Sequence, residues 1–283
     1  MKFPIYDYAL KNGTLREFLD FALFLREKRM YSFYNAALIY CQRSGVNWVE
    51  TERGWKKHGR YLKPEANPIV IMQAFSPINF VYDVEDTYGN DDYPPIQRFV
   101  YEPINTLERV NLSLIENVLR RNHIHFGKRA LGDRLGGFSE NLKPHILEFI
   151  TYANPKKPPK PIKLFYGVVI NDAKPVSQQL ITIIHELGHI YCGHLPTFKG
   201  AQKFGFFSYE RHISHCQQEF EAEAVVKFIC DRLDVEYKND TYRDGYLQDG
   251  EIPKIDLNAV ISAADKIWRI LEEAYIVSHY RFE

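Results

Sequence analysis

Apolar side chains recur three or four positions apart through Leu15, Phe18, Leu19, Ala22, Leu23 and Leu25, which predicts a helix. Thr14-Leu15-Arg16-Glu17 at its start has the form of a capping box. A second helix is predicted over 32–42, with Phe33, Ala36, Ala37 and Tyr40 inward and Ser44-Gly45 ending it. The pattern then changes to β-branched and aromatic runs at 48–51, 68–74 and 79–84, with Ser76-Pro77 as a turn between the last two. These elements predict a small helix-helix-sheet module. It closes in the polar, proline-bearing stretch 85–103, where Gly89-Asn90-Asp91-Asp92 and Pro94-Pro95 are turn signals. A boundary there divides the chain into 1–103 and 104–283.

Beyond it, 106–121 reads as an amphipathic helix, short strands are expected near 124–126 and 146–151, and a stronger one at 162–170. The stretch 154–161, containing PKKPPKP, reads as an extended basic loop, a solvated spacer. Apolar positions 180, 183, 184, 187 and 190 predict an interior helix over 177–191, with Ser177 as N-cap after Pro175. Phe220, Ala224, Phe228 and Cys230 predict another over 217–233, and Asp256 caps a last helix running through Ala263, Ile267, Ile270 and Leu271 towards Tyr275. The expected class is α+β.

Composition narrows the function. Hydrophobic residues make up 45% of the 283 and charged residues 25%, a globular balance long enough for two domains. The formal net charge is zero, so any nucleic-acid contact must use a local patch rather than the overall field. No apolar run approaches the roughly twenty residues that span a bilayer, which argues against a membrane partner. Met1-Lys2-Phe3-Pro4 lacks a signal-peptide core. Four scattered cysteines fit a reduced compartment, and the expected location is cytoplasmic.

The sharpest chemical signal is His185-Glu186-Leu187-Gly188-His189. Two imidazoles four residues apart on a helix can reach one metal ion, and the intervening Glu lies close enough to act on a water bound to it. Such ionisable groups beside a buried stripe are costly unless paired or bound to metal. The cofactor expected is Zn2+, with Glu186 as general base in hydrolysis of a peptide or protein substrate. A strand just before this helix suits a peptidase, because a free strand edge can hold an extended peptide.

Catalytic zinc takes three protein ligands, and the third is sought downstream. Glu219 and Glu223 share one face of the 217–233 helix. Glu219 is assigned as ligand, in the gluzincin manner, and Glu223 as the carboxylate that accepts a ligand histidine's free ring N–H; the reverse assignment stays open. Glu221 lies about 200° round the helix from Glu219 and is expected to be solvated. His194 is about half a turn out of phase with His185, so it is expected to cap the helix or lie in the next loop. Cys192 and Leu195 stand where a metzincin has Gly and His, which excludes that class. No C-x-x-C pair supports a cysteine-rich structural site, though Cys216 can approach the metal. Oxyanion donors are expected among Tyr209, Arg211, His212 and His215, in a connection long enough to form a lid.

Arg53, Lys56, Lys57, Arg60 and Lys63 cluster with Trp55 and Tyr61 between predicted strands. Basic groups interleaved with aromatic faces can hold single-stranded DNA, or the cluster is a positive hairpin whose Trp packs into the core. Tyr31-Ser32-Phe33, Trp55 with Gly59-Arg60 and Leu62-Lys63, Pro68-Ile69-Val70-Ile71 and Phe80-Val81-Tyr82-Asp83-Val84 resemble the ArdC-like antirestriction proteins. HELGH with Glu219-Phe220-Glu221-Ala222-Glu223 is similar to the metallopeptidase domain of that family and, more distantly, of ImmA/IrrE peptidases. The resemblance implies a single-stranded-DNA-binding N-terminal domain, a zincin fold, a mobile-element setting, and ligands at His185, His189 and Glu219. Lys63-Pro64-Glu65-Ala66-Asn67 replaces the family's usual lysine-glycine turn with less positive charge. The competing reading is a non-enzymatic DNA-binding or antirestriction protein whose zinc is mainly structural.

Overall fold

The computed structural model describes residues 5–73, 78–93, 112–150, 158, 160–235, 247 and 251–274. The Ser76-Pro77 turn, residues 94–103 of the expected boundary, residues 106–111 of the expected helix, most of the PKKPPKP loop and the run beyond 274 lie outside them.

The chain is α+β. It opens with α1 (Ile5–Ala9), α2 (Leu15–Glu27) and α3 (Phe33–Gln42). Thr14 and Glu17 form the expected capping box on α2, and Ser32 caps α3 by accepting from the Asn35 N–H. The β-rich stretch that follows is two small sheets: β1 (Val49–Glu50), β3 (Ile69–Ile71) and β4 (Asn79–Asp83) in the order β1-β4-β3, and β2 (Arg60–Leu62) with β5 (Thr87–Gly89). The basic run between strands is a helix, α4 (Glu52–Lys57), because Thr51 accepts from the Gly54 N–H and nucleates a turn.

The second half holds α5 (Leu112–Arg121) and a sheet of β6 (Ile124–Arg129), β7 (Gly137–Ile150) and β8 (Lys160–Asn171), with β8 central, parallel to β6 and antiparallel to β7. β8 is buried continuously from Leu164 to Asn171, as a covered central strand must be. β7 starts nine residues before the expected strand, and a register shift between Asn141 and Ile146 hides that extension from a simple alternation. α6 (Val176–Cys192), α7 (His215–Arg232) and α8 (Leu257–Glu273) pack on one another, and α6 also lies against β7 and β8. Two caps differ from expectation. Pro175, not Ser177, stands at the N-cap of α6, and α7 begins at His215 because Ser214 and Gln217 form a capping box two residues upstream.

One large core joins the two halves. Phe18 and Phe21 of α2 and Phe33 of α3 pack on Phe228 of α7, and α1, α2 and α3 share their apolar faces with α5, β6, β8 and α6–α8. Polar clamps fix the docking. Asp265 of α8 accepts from the Phe33 and Tyr34 N–H groups at 2.7 and 3.0 Å, capping α3 from outside it. Arg26 of α2 and Arg29 in the turn after it both pair with Asp234. Among the described residues no helix is long and apolar enough to cross a membrane.

Candidate metal centre

α6 and α7 cross where Gly188 meets Ala222. A Cβ on Gly188 would stand 3.3 Å from the Ala222 Cα and 3.5 Å from its Cβ, so the missing side chain sets how closely the two helices approach. That approach brings together side chains from both. His185 Nε2 and His189 Nε2 are 3.0 Å apart, His185 Nε2 and Glu219 Oε2 3.5 Å, and His189 Nε2 and Glu219 Oε1 3.4 Å. Ligands at the roughly 2.0–2.1 Å of zinc–nitrogen and zinc–oxygen bonds in a tetrahedron stand about 3.3 Å from one another, so the donor spacing fits such an ion. The donor types fit as well, two neutral-capable imidazoles and one carboxylate.

Two imidazole lone pairs facing each other at this distance would repel, so a hydrogen or a metal ion must lie between the nitrogens. The electrostatics without metal show it. Burial works to lower the His185 pKa, but the Glu219 and Glu223 carboxylates outweigh burial and lift it to about 10. Burial, then the His185 and His194 rings, push His189 down to about 3. Burial would raise Glu219, yet its contacts with His185 and His189 hold it below the usual carboxylate range.

Around these three the structure arranges a further shell. Glu223 Oε1 lies 3.0 Å from His185 Nδ1, where the ring N–H of a ligand histidine needs an acceptor. Glu186 is buried and accepts from the Ser139 hydroxyl at 2.8 Å. Burial raises its pKa, opposed by His185 and Ser139, which suits a base that must also give its proton back. Ser139 belongs to β7, whose outer edge is unpaired among the described strands. A cavity of about 940 Å³ opens between that edge and the two helices, lined by Gly137, Phe138, Ser139, His185, Glu186, His189 and Glu219 among others.

Glu221 is not solvated. It is fully buried, because α7 is covered on all sides over this stretch, and it accepts from Arg211 Nη1 and Nη2 at 2.5 and 2.8 Å and from the Asp256 N–H at 2.8 Å. Its fourth partner is His194 Nε2 at 2.9 Å, and His194 Nδ1 in turn lies 2.9 Å from His189 Nδ1. Gly193, with φ +77°, ends α6 in the left-handed conformation and folds His194 back onto the helix it follows. Cys192, His194 and Glu221 also converge, but burial drives the Cys192 thiol pKa well up and Arg211 already neutralises Glu221, so this group has no call for a cation.

The four expected oxyanion donors separate. His215 lines the cavity on the first turn of α7, its Nδ1 3.6 Å from Glu219 Oε1. Arg211 is committed to Glu221, and Tyr209 and His212 are exposed and do not line the cavity. The expected DNA-contacting residues also separate. Trp55 is fully buried and donates from Nε1 to the Tyr82 carbonyl, so it has no face for a base. Arg60 is 7% exposed and donates to Thr87, Asn90 and Tyr93. Lys63 donates to the Glu85 carbonyl, and Lys56 pairs with Glu52 across one turn of α4. Arg53, Lys56 and Lys57 are exposed on α4. Ser139 has no signal in the sequence, while His194 and Glu221 are visible there but are read as a cap or loop residue and as a solvated one, and the packing role of Gly188 within the motif is not read at all.

A helix carrying His-Glu-x-x-His, a carboxylate from a second helix and an edge strand beside them make a metallopeptidase-like domain. Residues 140–225, which include the helix, the second-helix carboxylate and the edge strand from Glu140 on, match the Peptidase_M78 family, described as an IrrE N-terminal-like domain, in line with the ImmA/IrrE likeness read from HELGH and 219–223. The crystal structure of the antirestriction protein ArdC from the R388 plasmid, in metal-free form, aligns over 88% of this chain and 87% of its own at 12% identity, with a TM-score of 0.39. No curated protein matches the chain.

Proposed function

We propose that this protein is a zinc-dependent peptidase, with His185, His189 and Glu219 as ligands and Glu186 as base. The convergence of two Nε2 atoms and one carboxylate from two helices, beside a cavity bordered by a free strand edge, carries this reading. Bound there, zinc supplies a water of pKa about 7 and polarises the scissile carbonyl. Glu186, oriented by Ser139, takes the water's proton and delivers it to the departing amine. The edge of β7 aligns an extended peptide by strand addition. His215, the one expected donor at the cavity wall, faces the developing oxyanion.

Purified protein should contain about one zinc per chain. Glu186→Gln should keep that zinc and lose hydrolysis of a peptide library by about 10²–10⁴-fold, the usual share of a general base. Zinc retained with hydrolysis unchanged would transfer the base role elsewhere; no hydrolysis by the zinc-loaded wild type would leave the metal a structural role.

The N-terminal module is proposed to contact single-stranded DNA through Arg53, Lys56 and Lys57, which present their charges to solvent on one short helix. The antirestriction, mobile-element setting rests on the sequence resemblance over 31–84. A cytoplasmic location is proposed from the four free cysteines, two of them buried.

A further inference from the structure

His189 has a second neighbour that the peptidase chemistry leaves unused. Its Nδ1 lies 2.9 Å from His194 Nδ1, and His194 Nε2 lies 2.9 Å from Glu221, which Arg211 grips with both terminal nitrogens. Two nitrogens at that distance share one hydrogen, and which ring owns it decides which way the whole chain points.

The polarity follows from its far end. Arg211 can only donate, and so can the Asp256 backbone N–H, so Glu221 is an ionised acceptor. An ionised carboxylate at 2.9 Å from His194 Nε2 takes that nitrogen's hydrogen. A neutral His194 then offers a lone pair at Nδ1, and His189 is the donor. With its hydrogen on Nδ1, His189 turns an unprotonated Nε2 towards His185 Nε2 and Glu219.

We propose that His194 and Glu221 are positioning residues, forming a relay in which His189 donates to His194 and His194 to the Arg211-held carboxylate, so that His189 is fixed in the tautomer whose Nε2 can bind a metal ion. The proposal rests on His189 being a ligand. It also explains two features that spacing alone does not: Glu221 is fully buried, and Gly193 bends the chain so that His194 returns to its own helix. His185 is served directly by Glu223, whereas His189, on the side away from that carboxylate, is served through an intermediate ring.

Two variants and one direct measurement test this. Long-range ¹⁵N–¹H NMR of metal-free wild-type protein should show His189 as the Nδ1–H tautomer. His194→Phe keeps an aromatic ring but removes the acceptor, and should weaken zinc binding, read by chelator competition, by about 10–100-fold, the usual effect of losing such a partner. Glu221→Gln should reverse the relay, because the new amide can donate to His194, and should move the His189 hydrogen to Nε2. His189 found with its hydrogen on Nε2 in wild-type protein, or zinc affinity unchanged in a folded His194→Phe, would overturn the relay. Wild-type protein that binds no zinc would sink the metal reading instead, and the tautomer of the metal-free protein would still decide the relay. That measurement also stands if either variant fails to fold.

Discussion

The α6–α7 crossing and the β1–β5 region both bring polar and charged residues out of the sequence as candidates, and the structure treats them in opposite ways. At the crossing, His185, Glu186, His189, Glu219 and Glu223 are brought to one cavity, and partners from outside the motif, Ser139 and His194, join them. In the N-terminal region the candidates scatter: Trp55 and Arg60 go inward, Lys63 is tied to a carbonyl, and only α4 keeps its charges outward. On a long helix, spacing fixes direction, because 3.6 residues per turn leaves little freedom over one or two turns. Across short strands and turns a residue's direction depends on register and on local helix formation, which the residue types alone do not set.

Trp55 gives the widest separation between the two readings of its region. Trp55→Ala empties a fully buried site and removes the indole bond to the Tyr82 carbonyl, and should lower unfolding free energy by about 3–5 kcal/mol in urea titration. Unchanged stability together with lost DNA binding would return Trp55 to the surface role that the sequence suggested. Gly188 tests the other region. Gly188→Leu must force the α6–α7 crossing apart against the Ala222 backbone; overpacking of this kind costs about 1–3 kcal/mol and should abolish zinc uptake, because ligands from two helices no longer meet. A Gly188→Leu protein that binds zinc normally would show that the crossing distance does not govern the site.

The same contrast explains what could be read in the residues beforehand. HELGH, the pairing of Glu219 with Glu223, the Thr14–Glu17 box and the Asp256 cap were legible because each is a spacing rule on one helix. Glu221 was misread by that same rule. Its angle round α7 is right, but the face it points to is not solvent; α8 and the 193–211 connection cover it, and only tertiary packing reveals that. Ser139 was invisible because an irregular register at 141–146 separates it from the run of strand residues at 146–150. The sharing of one core by α1–α3 and the second half is likewise tertiary, carried by Asp265 and Asp234 hundreds of positions from their partners.

On α4, charge and stability should come apart. Arg53→Ala and Lys57→Ala should each change stability by less than about 0.5 kcal/mol, as exposed substitutions do. If these residues contact phosphates, each removal should reduce the slope of log affinity against log salt for single-stranded DNA by about 0.7. An unchanged slope would leave α4 an ordinary solvated helix and would hand the module a protein partner.

A further effect, read against pH, concerns the seam between the end of α2 and the end of α7. Asp234 sits in the left-handed conformation, φ 54°, and receives Arg26 of α2 and Arg29 just beyond it. Burial would raise its pKa, but hydrogen bonds from Arg29 and Arg26 outweigh burial and hold it below the ordinary carboxylate value. A depressed folded pKa means the pairing stabilises the protein fully above the unfolded value of about 3.9 and is lost as the pH falls through the lower folded value. Asn tolerates the left-handed backbone, so Asp234→Asn removes charge without adding strain. With solvent screening, the pair is worth about 1 kcal/mol, or about 2–4 °C in Tm at pH 7. That difference between wild type and variant should shrink below about pH 4 and vanish in stronger acid; no gap at pH 7 would mean that the seam is held by the apolar packing of Phe18, Phe21 and Phe33 on Phe228 alone, and a gap that persists in acid would assign it to something other than the carboxylate's charge.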